Sequence, residues 1–393
     1  MYIHVPFCKT KCPYCDFNTY QGIEDLIPPY IAALTTELLL WGKVLDHPIV
    51  NTVFFGGGTP SYLPEGSISR ILDAANTAFQ VKADAEITIE ANPGDLSLKA
   101  SQRLLAQGVN RLSIGVQSLD NDLLNLLGRR HNADEAIAAF KTAADAGFTN
   151  VNLDLMYGLM HQSLDQWRDT LQRLISLQPT HISLYSLTVE EGTPLHAWVR
   201  DGKLPEPDLD LMADMYHQAE DWLEEANYHH YEISNWSKDG LPSQHNLAYW
   251  LNQPYLGVGP GAHSSLGGCR FWEIDSPRTY NTSVKRWAET NPQSATESLN
   301  MEAMLEAIYP VGGHETISAE VRASETMFLG LRLLDGIDLT AASALAGTDL
   351  AARYAAEIKG LLELGLLEQQ GTNLRLTKQT YLIANQVFTR FLG

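Results

Sequence analysis

The chain has 393 residues, 45% of them hydrophobic, enough to bury the core of one large α/β domain and a smaller one. Its 47 acidic against 27 basic residues give a formal charge of -20, a field that repels phosphate backbones and argues against nucleic acid, tRNA included, as the partner. Met1 leads into strand-like sequence without a basic n-region, an apolar h-region or an apolar run of membrane-spanning length. Three of the four cysteines are clustered, which suits a reducing compartment, so a cytoplasmic location is expected.

The first predicted strand, Tyr2 to Val5, runs into Cys8-Lys-Thr-Lys-Cys12-Pro-Tyr14-Cys15. Three thiolates from one short loop suit a soft metal centre, and a [4Fe–4S] cluster held by three cysteines leaves one iron without a protein ligand. A small molecule carrying an amino and a carboxylate group, such as S-adenosylmethionine, could chelate that iron. Zinc fits poorly. His4 is the single nearby fourth ligand, and zinc modules usually draw their ligands as two separated pairs.

From there one unit repeats. A helix over Pro28 to Trp41 presents Tyr30, Leu34, Leu38 and Trp41 on one face. Val50 to Phe55 reads as a strand ending in Gly56-Gly57-Gly58-Thr59-Pro60, followed by a helix from about Glu65 to Phe79. Ile87 to Ala91 precedes a helix from Leu98, capped by Ser97 and ended by Gly108. Arg111 to Val116 precedes a helix that starts at Asn132 with Glu135 completing a capping box. Val151 to Met156 precedes a helix capped by Ser163, and Ile182 to Leu187 is expected as the last of six strands. Strands thirty to forty residues apart with helices between them require parallel pairing. A doubly wound sheet and a partial barrel both satisfy the pattern, and in both the ligand site lies at the strand C-termini. There the sequence puts its chemistry: the cysteines after strand one, the glycines after strand two, Glu90 closing strand three, Gln117 after strand four and Asp154 near the end of strand five.

Past the sixth strand the composition changes. A helix from Leu209 to Ala226 stacks Met212, Met215, Tyr216, Ala219, Trp222 and Leu223 on one face, which reads as core. His229 and His230 read as a solvated helix end, and Cys269 as a small buried hydrophobe. His245-Asn-Leu-Ala-Tyr249-Trp250 sets an imidazole beside two aromatics, an axial ligand for haem iron with flat surfaces for a porphyrin. Gly257-Val-Gly-Pro-Gly261-Ala-His263 reads as a strand ending in a loop that could close over the ligand site. From about Glu297 the chain turns helical, with a hairpin turning at Gly371-Thr372, as in a winged-helix-type module. The module's acidic surface disfavours DNA. The expected divisions are residues 1–205, 206–296 and 297–393.

Cys-x3-Cys-x2-Cys with an aromatic, Tyr14, before the third cysteine resembles the radical S-adenosylmethionine superfamily. Tyr2-Ile-His-Val-Pro-Phe-Cys8, the Gly-Gly-Gly-Thr-Pro run, Arg111-Leu-Ser-Ile-Gly-Val-Gln117 and Asn152-Leu-Asp154-Leu-Met-Tyr-Gly158 resemble, over nearly the whole chain, oxygen-independent coproporphyrinogen III dehydrogenases and their haem-chaperone relatives, the HemW-like proteins. The resemblance implies an α/β fold, a partial (β/α)6 barrel with a smaller, mainly helical, winged-helix-like C-terminal domain. It implies Cys8, Cys12 and Cys15 as cluster ligands. Tyr2, Tyr14, Gly57, Gly58, Thr59, Glu90, Gln117, Arg129 and Asp154 become contacts of S-adenosylmethionine, Glu90 through its ribose, and His245 becomes the haem ligand. The implied partners are recipient haemoproteins, respiratory ones among them, with peripheral membrane contact and a homodimer left open. Phe17 stands where the dehydrogenases carry a fourth cysteine, which resembles the chaperone branch and counts against decarboxylation of coproporphyrinogen.

Overall fold

The computed structural model describes residues 1–238, 240–290 and 301–392; the expected division between 296 and 297 lies outside them. Strands β1 (Tyr2–Val5), β2 (Ile49–Gly57), β3 (Gln80–Ala91), β4 (Arg111–Gln117), β5 (Val151–Tyr157) and β6 (His181–Ser186) pair in parallel, each with the next. Helices α1 (Ile27–Val44), α2 (Ser67–Ala78), α3 (Leu98–Ala106), α4 (Asn121–Leu126), α5 (Ala133–Ala146) and α6 (Leu164–Ser176) form the crossovers. Their starts are set locally. Ser97 accepts a hydrogen bond from Ala100 N–H, and Asn132 with Glu135 and Ser163 with Gln166 close capping boxes.

Side chains alternate along the strands. Ile3 and Val5, Val53 and Phe55, Leu112 and Ile114, Leu153 and Leu155, and Ile182 and Leu184 are buried in one core with Leu34, Leu38 and Trp41 of α1. The intervening residues, from Tyr2 on β1 to Tyr185 on β6, line a single cavity. One cavity can be lined by all six strands only if the sheet curves around it, which makes the unit a partial (β/α)6 barrel rather than a flat doubly wound sheet.

The sheet is wider than six strands. After α7 (Pro194–Arg200) and α8 (Leu209–Glu225), β7 (His229–Glu232) and β8 (Asn235–Ser237) form a hairpin that joins the sheet through antiparallel pairing of β8 with β6, and after α9 (Gln244–Trp250) the two-residue β9 (Gly257–Val258) pairs with β1 in parallel. His229 and His230 are therefore strand residues and not a solvated helix end. His230 stacks on Trp236 with ring centroids 3.9 Å apart, and its burial drives the imidazole down to about 3. Three further strands, β10 (His263–Leu266), β11 (Cys269–Glu273) and β12 (Val311–Thr316), make a separate antiparallel sheet. Cys269 is buried there, within the main core.

The loop after β9 does not close over the cavity. It packs behind the cysteine loop. Pro260 O accepts from Asn18 Nδ2 at 3.0 Å, and a Cβ on Gly259 would lie 2.6 Å from His4 O. Glu37 of α1 holds this loop, accepting from Gly259 N–H at 2.9 Å and from the hydroxyl of Tyr280 on α10 (Pro277–Glu289). Glu273 of β11 is buried beside it. Burial pushes Glu37 up to about 7, and burial with the charge of Glu37 raises Glu273. Because the folded-state values lie above the unfolded ones, the stability these carboxyls contribute is complete below about 4.5 and is lost as pH rises through about 7. Melting temperature should fall as pH rises from about 5 to about 7.5. Glu273→Gln should flatten that fall, and an unchanged slope would show that the pair is not its source.

The C-terminal domain has its own core, running from Ala323 to Phe391. Helices over Ala319–Gly330, Leu339–Ala346 and Ala355–Glu363 pack with a three-stranded antiparallel sheet whose hairpin turns at Gly371-Thr372, as in a winged-helix module. It meets the barrel at β7 and α9: Arg332 donates to Glu232 at 3.3 Å and lies over the Trp250 ring, and Leu334 N–H donates to Tyr231 O.

Candidate functional site

The strand tips converge on one cavity of about 570 Å³. Cys8, Cys12 and Cys15 line it from the loop after β1, with Tyr14 between the last two. The β2 chain continues this pairing into the loop, since Gly58 N–H donates to Val5 O and Thr59 N–H to Phe7 O. Two of the glycines are dictated by space. A Cβ on Gly57, whose φ is +103°, would sit 2.4 Å from the His4 ring, and one on Gly58 would sit 2.7 Å from the carbonyl oxygens of Val5 and Phe7. The thiols meet donors. Thr59 Oγ1 donates to Cys8 Sγ at 3.5 Å, and Arg129 Nη1 donates to Cys12 Sγ at 3.7 Å. Burial raises the Cys8 and Cys15 thiols, so metal loading has to displace protons. Among the described residues no three His, Cys, Asp or Glu side chains are grouped to hold one metal ion.

The rest of the wall is polar and strained. Gln117, at the end of β4, has φ +66°, a left-handed backbone that a side chain rarely accepts, and the register with β5 slips beside it. Arg129 Nη2 donates to Gly115 O at 2.6 Å. Asp154 accepts from Ser113 and Asn152, and burial raises its carboxyl against the pull of these donors. Glu90 accepts from Gly57 N–H at 3.1 Å and is pushed up to about 8, first by burial and then by the charge of Asp154. Tyr2 donates to His4 Nδ1 at 3.0 Å while His4 Nε2–H donates to Asn18 O, which leaves the phenol oxygen free to accept.

His245 lies on the same wall. It is buried, stacked on Phe54 at 5.0 Å, and both ring nitrogens are engaged, Nδ1 with Thr52 Oγ1 at 2.8 Å and Nε2 with the Tyr249 hydroxyl at 3.0 Å. Every residue anticipated from the sequence as a cluster, S-adenosylmethionine or haem contact therefore lines this cavity.

A family model of the radical SAM superfamily matches residues 2–174, and one of the HemN C-terminal domain matches residues 317–383. The haem chaperone HemW of Bacillus subtilis is 35% identical over all of this chain and 98% of its own length, and that of Mycobacterium tuberculosis is 37% identical over all of this chain and 94% of its own. The chain belongs to the HemW family. Coproporphyrinogen III oxidase HemN of Escherichia coli superposes with a TM-score of 0.82 over 99% of this chain and 89% of its own at 23% identity, which shows the shared fold. Radical SAM membership implies a [4Fe–4S] cluster and S-adenosylmethionine, and the HemW-type cavity here has the donor set for both: three thiols, a side-chain-free glycine cradle and two acceptor carboxyls.

Several cavity residues of this HemW family member are not singled out by the sequence: Arg111, Ser113, Asn152, Ser183 and Tyr185. A signal exists, because all five occupy the polar positions of alternating strands.

The Glu90 carboxyl gives a pH test. The resemblance gives Glu90 the ribose hydroxyls, from which a carboxylate would accept more strongly than a protonated carboxyl, and a folded value of about 8 leaves the empty site mostly protonated at neutral pH. Affinity for S-adenosylmethionine should then rise with pH by up to about tenfold per unit, levelling above pH 8. In Glu90→Gln affinity should be lower and the dependence lost; a flat wild-type profile in equilibrium dialysis would exclude this role.

Proposed function

We propose that this chain is a haem chaperone built on a radical SAM scaffold, binding haem through His245 and passing it to recipient haemoproteins. The observation that carries the reading is the placement of the His-Asn-x-x-Tyr-Trp histidine on the wall of the cavity that also holds the three cysteines. Cys8, Cys12 and Cys15 hold the cluster, which supplies an open iron for the amino and carboxylate groups of S-adenosylmethionine. Gly57 and Gly58 bring backbone polar groups close to that end, and Glu90 and Asp154 accept from the hydroxyls. His245 is kept neutral, since burial first and then the chain's amino terminus and Arg111 drive its imidazole far down, and a neutral imidazole is the form that ligates iron. Ligation through Nε2 requires the Tyr249 hydroxyl to let go.

Phe17, 62% exposed at the cavity's mouth, occupies the position of the dehydrogenases' fourth cysteine and supports the chaperone reading over decarboxylation. Titrating haem into the cluster-loaded protein should give a shifted Soret band, and an anaerobic assay with coproporphyrinogen III should give no protoporphyrinogen. An unshifted haem spectrum overturns the proposal.

A further inference from the structure

One set of buried polar groups is not used by either binding role. Asn152 of β5 and His181 of β6 are directly paired in register, and His181 is fully buried. Asn152 Nδ2 donates to Asp154 Oδ1 at 2.8 Å, so its Oδ1 is turned toward His181 Nδ1, 2.6 Å away. Since that oxygen can only accept, Nδ1 carries the imidazole proton and Nε2 must accept from the Tyr231 hydroxyl at 2.7 Å. The Tyr231 oxygen in turn accepts from Ser243 N–H at 3.2 Å. Ser243 is the N-cap of α9, two residues before His245. Every donor in this chain points the same way, from the start of α9 across β7, β6 and β5 to the Asp154 carboxyl.

We infer that Asn152, His181 and Tyr231 are positioning residues that couple occupancy of the S-adenosylmethionine site to the setting of α9 and hence to haem binding by His245. The inference rests on the proposed roles of Asp154 and His245. A ligand hydroxyl donating to Asp154 competes with Asn152 for the same carboxyl and slackens each bond behind it, because bonds polarised in one direction strengthen and weaken together. The far end is the one that has to move. His245 can ligate iron only when Nε2 leaves Tyr249, and a looser N-cap lets α9 make that adjustment. The other anchor of the helix start, Glu86, which accepts from Gln244 and His245 N–H at 3.0 Å, holds α9 to β3 throughout and makes the displacement a pivot. S-adenosylmethionine therefore tightens haem binding.

The test is haem titration of cluster-loaded protein with and without saturating S-adenosylmethionine, followed by the reciprocal titration. In the wild type, S-adenosylmethionine should lower the haem Kd by at least about fivefold, and haem should lower the S-adenosylmethionine Kd by the same factor, as linkage requires. In Tyr231→Phe, which removes one hydroxyl, and in His181→Gln, each ligand should still bind alone while the ratio falls to near one. A change in fold would weaken both ligands, whereas loss of coupling alone has no such explanation. Haem binding by the wild type without coupling, or full coupling retained in Tyr231→Phe, overturns the inference and leaves the chaperone reading standing. Absence of haem binding in the wild type overturns both.

Discussion

Cys12→Ser protein, reconstituted anaerobically with iron and sulfide, is expected to hold essentially no four-iron cluster. Two thiolates remain, at the ends of a loop whose middle ligand is gone, and a cluster with three protein-held corners cannot be kept by two. Cys12 is also the sulfur approached by Arg129 Nη1, so serine removes both the ligand and a charge-assisted contact. The same isosteric change at Cys269 is the control, because that thiol is buried on β11 in the main core, away from the cavity lining. Cys269→Ser exchanges a buried thiol beside Thr316 for a hydroxyl and should lower stability modestly without lowering cluster content. Iron and acid-labile sulfide analysis reads both. Full cluster content in Cys12→Ser, or equal loss in Cys269→Ser, would remove the cysteine loop as the metal centre.

Much of this architecture is legible in the sequence, for identifiable reasons. The six parallel strands are short apolar or alternating runs followed by helices whose caps are encoded within four residues, as at Ser97, Asn132 and Ser163. Local chemistry of this kind does not depend on distant partners. Two strands that the sequence does not announce lack it. His229–Glu232 carries two adjacent histidines and becomes a strand because Asn235–Ser237, already paired with β6, offers it an edge. Val311–Thr316 contains two glycines and has a burial pattern with no core face of its own, and it is fixed by pairing with β11. In the site, residues borne by a motif or a strand tip could be picked out, whereas Asn152, His181 and Tyr231 acquire meaning only when three strands lie side by side. The glycine-rich loop after β9 departs from the sequence expectation for the same reason. Its glycines serve the close approach of His4 O and Asn18, a contact spanning more than 240 residues of sequence.

Haem affinity should respond in opposite directions to two substitutions that break one hydrogen bond. His245→Ala removes the iron ligand, and affinity should fall by at least about tenfold, the lower end of what loss of even an outer partner of a metal ligand costs. Tyr249→Phe removes only the hydroxyl that occupies Nε2 at 3.0 Å, so the imidazole no longer has to surrender a partner before it ligates. The released bond is worth about 0.5–1.5 kcal/mol, which predicts haem bound severalfold more tightly. The ring of Tyr249, edge-on to His245 and to Tyr255, is kept by phenylalanine, so packing of α9 against its surroundings is preserved. Thr52 Oγ1 still holds Nδ1 and therefore the orientation of the ring. If His245 served only to fill this wall of the cavity, both substitutions would loosen the same contact and both would weaken binding, or neither would matter. Opposite signs in the Soret titration require that Nε2 itself meets the iron, and a loss of affinity in Tyr249→Phe equal to that in His245→Ala would rule this out.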